Sequence, residues 1–150
     1  MDDNCELFRS AYIALDNDLL RDRREPLLSA DNGAIDYIHN QETADGASFF
    51  DRKTMPYVYG GPEGQETADL ALKSFQFVLA QGTLDYDWHP APQRQIVLVL
   101  TGGLAMDYGD GSHCDVTPGG FLIGEDTDGK GHITRAINGQ ARFSVFAHLA

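Results

Sequence analysis

The chain is short of cations, of cysteine and of long apolar runs, and each shortage removes a class of function. Eleven Lys and Arg stand against 23 Asp and Glu in 150 residues, a formal net charge of −12. So large a negative surplus opposes unaided binding to phosphate backbones or anionic membrane surfaces, both of which attract clusters of Lys and Arg. Neither nucleic acid nor a membrane is an expected partner. The two cysteines, Cys5 and Cys114, form no CxxC pair and fall far below the density of a secreted disulfide scaffold, so a reduced, cytoplasmic protein is expected. Met1-Asp2-Asp3-Asn4 is the opposite of a basic signal-peptide start, and the longest strongly apolar run, Ile96 to Leu100, is far too short to span a bilayer.

What is present is unevenly placed. Residues 1–46 carry 11 acidic and 4 basic side chains, and 10 of the 16 glycines fall between Gly82 and Gly131. In the acidic segment, Leu7, Tyr12, Ile13, Leu15, Leu19 and Leu20 recur at helical spacings behind Asp3 or Asn4 as N-cap, which predicts one or two amphipathic helical turns. Asp31-Asn32-Gly33 reads as a turn and Gly60-Gly61-Pro62-Glu63-Gly64 as a loop. Residues 1–46 hold too few large apolar side chains for a core of their own, so they are expected to form an arm packed on a domain spanning 47–150.

From Ser74 onward the pattern is one of short strands between turns. Phe75, Phe77 and Leu79 alternate with Gln76 and Val78; Gln95 to Thr101 is nearly all apolar; Leu104, Met106 and Tyr108 alternate; Phe121-Leu122-Ile123 and His132 to Ile137 follow. Asn138-Gly139, ahead of Ala141 to Leu149, is a strong hairpin signal because both residues tolerate the positive φ of a type I′ turn. The spacing predicts an all-β sandwich or barrel.

Two segments carry candidate chemistry. The first is Tyr86-Asp87-Trp88-His89-Pro90-Ala91-Pro92-Gln93-Arg94-Gln95, whose prolines force an extended entry to the next strand. By the period-2 rule Gln95, Val97, Val99 and Thr101 share a face, placing Gln95 at the mouth of an apolar interior. The second is Gly124 to Arg135, rich in Asp and Gly. It lacks EF-hand and Walker spacings, and it returns to a strand at His132 with Thr134 on the same face.

Together the two segments resemble the cupin superfamily. Gly82, His89, Gln95 and Gly102 keep the order of its first motif, with Ala91 where the second His of a His-x-His pair stands and Gln95 in place of the Glu. Pro118-Gly119, Phe121 to Ile123 and His132 follow its second motif. The resemblance implies a double-stranded β-helix (jelly-roll) barrel, a small-molecule substrate, a homodimer, and a site in the barrel mouth. His89, Gln95 and His132 would be the remaining ligands for a divalent Fe, Mn, Ni or Zn, with Glu125, Asp126 or His113 available to complete the set; two imidazoles and an amide hold such an ion less tightly than three imidazoles and a carboxylate.

Without a metal, His89 and His132 are candidate general acid and base, with Asp126 beside them. Histidine is suited to that work because its reference pKa of about 6.5 lies near working pH. A lyase, isomerase or cyclase is the leading expectation; a metal-dependent oxygenase and a non-catalytic binder of a sugar or organic acid are the alternatives. Arg94, Lys130 and Arg135 would neutralise an anionic substrate at the mouth, and Tyr57, Tyr59, Tyr86 and Trp88 would line its rim.

Overall fold

The computed structural model describes residues 33–150. Among these the regular structure is all strand: β1 Ala34–Glu42, β2 Ser48–Gly61, β3 Gly64–Thr67, β4 Leu72–Ala80, β5 Asp85–His89, β6 Gln95–Thr101, β7 Leu104–Asp107, β8 His113–Val116, β9 Phe121–Gly124, β10 His132–Ala136 and β11 Arg142–Leu149. The helix expected near the N-terminus lies outside the described residues. No helix of the described residues is long and apolar enough to cross a membrane.

The strands form two open sheets, ordered β3-β2-β1-β9-β6-β11-β4 and β5-β10-β7-β8. The pairing is nested: β4 with β11, β5 with β10, β6 with β9, and β7 with β8, every pair antiparallel. Alternate pairs belong to alternate sheets, so most consecutive strands from β4 to β11 cross between layers. This explains the fate of Asn138-Gly139. The turn forms, with φ of +52° and +67° and Gln140 N–H donating to Ile137 O at 3.0 Å, yet it is not the tip of a hairpin. Both edges of β10 are taken by β5 and β7 and both edges of β11 by β4 and β6, so the turn joins the two layers.

The expected arm boundary at residue 46 is also corrected. β1 pairs with β2 on one side and, in parallel, with β9 on the other, so the sheet begins at Ala34 and residue 46 lies in the turn between its first two strands. Residues 1–32 lie outside the described part.

The layers share one core of Ile38, Val97, Val99 and Leu122 from the larger sheet with Leu104, Met106, Tyr108, Cys114 and Val116 from the smaller. Fully burying an aliphatic side chain of this size contributes about 1.5–3 kcal/mol. Burial also pushes the Cys114 thiol up to about 11, which makes it an inert core residue at neutral pH. On β6 the expected alternation holds: Gln95, Val97 and Val99 are buried on one face.

β4 behaves differently. Val78 pairs with Ser144 and Gln76 with Phe146 on the inward face of β11, so Phe75, Phe77 and Leu79 point outward, 60%, 64% and 65% exposed. Phe77 meets Phe75 edge-on and stacks on Phe143. β4 is therefore an edge strand with an apolar outer face.

Candidate functional site

The smaller sheet places two histidines side by side. β10 and β5 pair His132 with His89 and Thr134 with Tyr86, with a shift of register between these pairs. Asp87 and Trp88 together oppose the single residue Ile133, a β-bulge. Strict alternation would set Tyr86 and His89 on opposite faces; the bulge brings both to the face of Thr134 and His132. The rings of His89 and His132 are 4.6 Å apart between centroids and inclined at 61°, edge to face, and the Tyr86 ring centroid lies 3.9 Å from that of His89. Trp88 faces elsewhere, with Lys130 Nζ 3.8 Å from its ring centroid.

Hydrogen bonds assign the imidazole nitrogens. His132 Nδ1–H donates to Asp126 Oδ2 at 2.5 Å, and His89 Nδ1–H donates to the carbonyl of Asp87 at 2.7 Å. Each Nδ1 is thereby committed, leaving each Nε2 without a hydrogen-bond partner among the described residues. Burial is the main influence on His89 and lowers its pKa; the hydrogen bond to the Asp87 carbonyl opposes this, and His132 nearby adds to the lowering. The balance favours the neutral imidazole of His89.

Asp126 is fully buried and its neighbour Glu125 faces the other way. The reason is strand geometry: Leu122, Gly124 and Asp126 continue one face of β9, and Phe121, Ile123 and Glu125 the opposite one. Glu125 accepts from His39 Nε2 at 2.5 Å and from Arg94 Nε at 2.6 Å. Burial works to raise its carboxyl, but these donors outweigh it and hold Glu125 below the usual carboxylate range.

Most of the expected cationic mouth is thus corrected. Arg94 is directed to the outer surface by the same alternation that sends Gln95 inward. Arg135 pairs with Asp85 at 3.0 Å and with Asp107, next to Thr134, which faces in. His113 joins that surface group through Asp107 and Asp115 and does not complete the site. Lys130 lies over Trp88, and Tyr57 and Tyr59 stand on the edge hairpin β2–β3, at the far end of β2 from Ser48. Of the expected rim, Tyr86 is the aromatic that meets the histidine pair.

The sequence reading missed three interior residues. The Tyr108 hydroxyl donates to Asn40 Oδ1 at 2.6 Å, and the Tyr108 ring lies 6.3 Å from His132. Burial, the largest influence, raises the Tyr108 hydroxyl far above its ordinary value, so it remains a neutral donor. Asn40, fully buried, sits on the inward face of β1 beside Ile38. The third is Arg142, 5% exposed, whose signal is alternation: Arg142, Ser144 and Phe146 share a face of β11, so a cation starts an inward-facing row.

Among the described residues no group of three or more His, Cys, Asp or Glu side chains is placed to hold a metal ion. Two imidazole Nε2 atoms and the neutral Gln95 amide remain, while Asp126 is committed through Oδ2 to His132. That donor set does not fit the divalent centre the resemblance implies.

No family model and no curated protein matches this chain. Among solved structures, protein NMB1881 from Neisseria meningitidis aligns over 52% of this chain and 76% of its own, at 24% identity and a TM-score of 0.41.

Proposed function

We propose that this chain is a small-molecule enzyme of the acid–base kind, a lyase, isomerase or cyclase, working in the interior of a cupin-like jelly roll. The observation that carries the reading is the buried Asp126–His132 pair set against His89, with both Nε2 atoms left for a substrate. The nested pairing of β4 to β11 supports the roll, since a long hairpin folded over on itself sends alternate pairs to alternate layers.

The roles follow from the hydrogen bonds. His89, neutral with Nδ1 blocked, offers the Nε2 lone pair as general base. Asp126 orients His132 and balances the charge the ring carries when protonated, as the carboxylate does in hydrolase triads, so His132 donates from Nε2. A proton leaves a substrate carbon or heteroatom for His89 while another passes from His132 to an oxygen or leaving group. Solvent exchange resets both rings. Tyr86, against His89, covers the base on the solvent side.

The test is deuterium incorporation. Small hydroxy- and keto-acids incubated with the protein in D₂O are expected to lose C–H signals in proton NMR at a rate proportional to enzyme. Because the His89 pKa is lowered, the acidic limb of the rate profile is expected below the ordinary histidine value of about 6.5. Ligand binding without exchange or conversion for any member of the panel would leave a binding protein and defeat the reading.

We also infer that the chain is a homodimer, with the outer face and free edge of β4 paired to a second copy. Support comes from Phe75, Phe77 and Leu79, whose exposure on an edge strand is the arrangement soluble proteins ordinarily avoid. Sedimentation velocity is expected to show a dimer that Phe77→Asp converts to monomer. A monomeric wild type at about 10 µM, well above the Kd of a stable dimer, overturns this.

A further inference from the structure

Arg142 opens the inward face of β11 and is almost wholly buried, yet its Nε and Nη1 atoms have no hydrogen-bond partner. Among the described residues no carboxylate pairs with it. Its guanidinium carbon lies 6.0 Å from the centroid of the Phe146 ring, and Phe146 packs against the core. Arg142 and Phe146 lie on one face of the strand, four residues apart, so the side chain runs along β11 into the space between the layers. Burial lowers the pKa of this guanidinium, but arginine stays charged in proteins. A buried, unpaired cation is among the costliest arrangements a fold can keep.

Two acceptors in the same interior are also without donors. Gln95 Oε1 and Asp126 Oδ1 are buried and unpartnered, although buried polar atoms in folded proteins nearly always find partners. β11 runs antiparallel to β6, with His148 opposite Gln95 and Phe146 opposite Val97. Arg142 therefore starts from the end of the inward face remote from Gln95, and its side chain reaches back along that face to Phe146, which lies opposite Val97, two residues from Gln95.

We infer that this interior takes a small anion whose oxyanion group is held by Arg142 and whose hydroxyl or amine, at the other end, donates to Gln95 Oε1 or Asp126 Oδ1. The inference rests on the acid–base reading and gives its substrate class: Arg142 anchors the charged end while the reacting end lies against His89 and His132. A guanidinium suits carboxylate and phosphate alike, so the experiment separates the two.

Thermal melts and titration calorimetry with malate and with glycerol 3-phosphate, against glycerol as the neutral control, provide the test. At about 100 times Kd, one of the anions is expected to raise Tm by about 5 °C or more, and glycerol is not. Which anion acts distinguishes carboxylate from phosphate. Arg142→Met, which removes the charge and keeps the bulk, is expected to abolish the shift while melting no lower than wild type without ligand. Arg142→Lys is expected to bind at least about 10-fold more weakly, because an ammonium cannot form the planar fork, and it serves if the Met variant fails to fold. His132→Asn is expected to keep anion binding and lose deuterium exchange, so failure of the chemistry is distinguishable from failure of the anion site. No shift with either anion, or an equal shift in the wild-type and Arg142→Met proteins, overturns the inference.

Discussion

Replacing His132 with Asn is expected to lower turnover by about 10²- to 10⁴-fold, the range a positioned general acid or base supplies, while leaving the fold intact. Asparagine fills much of the imidazole's space and its amide nitrogen can still donate toward Asp126 Oδ2, so the buried carboxylate keeps a partner. What disappears is the proton at Nε2. Asp126→Asn separates positioning from catalysis. Its amide can donate to Nδ1, which flips His132 to the other tautomer and removes charge compensation for the protonated ring. The expected result is a fall in kcat of similar order, because His132 is no longer held with Nδ1–H against a carboxylate. A merely structural Asp126 would reduce stability and leave the kcat of the folded protein unchanged. Exchange rates within threefold of wild type for His132→Asn would remove the dyad from the mechanism.

The strands are legible in the sequence where alternation and turn residues agree. β6 is recovered at Gln95–Thr101, and β7, β9 and β10 fall on the apolar alternations between glycine turns. Which strands pair is not legible, because a turn specifies local φ and ψ but not which layer the next strand joins; Asn138-Gly139 forms its turn and still links two sheets. The site shows the same division. His89, His132 and Asp126 come together and Gln95 faces inward, since alternation along β6, β9 and β10 carries Gln95, Asp126 and His132 to the inner face. Nearness in sequence to inward residues does not bring Arg94 and Arg135 to the mouth, because a neighbour along a strand faces the opposite way. The Asp87–Trp88 bulge, which turns Tyr86 toward His89, breaks the period-2 rule itself. Arg142 is found only by asking which charged residue starts an inward-facing row.

The second large effect is expected at Gly131, the residue that sets the spacing of the histidine pair. Its φ is +73°, and a Cβ there would lie 1.9 Å from the carbonyl oxygen of His89 and 2.3 Å from the nitrogen of Pro90. Both neighbours are backbone and cannot rotate away. The Gly131 carbonyl is itself held, accepting from the fully buried Ser48 hydroxyl at 2.5 Å, and Ser48 Oγ in turn accepts from Gly109 N–H at 2.8 Å. Gly131→Ala thus combines an unfavourable backbone region with overpacking against a fixed chain. The terms are about 1–3 kcal/mol each, so a loss of about 3 kcal/mol or more is expected in urea unfolding. Gly139→Ala isolates the first term: Gly139 has a φ of +67° and nothing within 4 Å of its added Cβ, so a loss of only about 1–2 kcal/mol is expected there. The difference between the two variants measures how tightly β5 and β10 are clamped at the site. Because the clamp lies beside His132 and against the His89 carbonyl, relieving it must move one ring relative to the other. Histidine C–H resonances of both residues should therefore shift in Gly131→Ala and not in Gly139→Ala, and equal losses of stability in the two proteins would show that Gly131 does not hold the pair together.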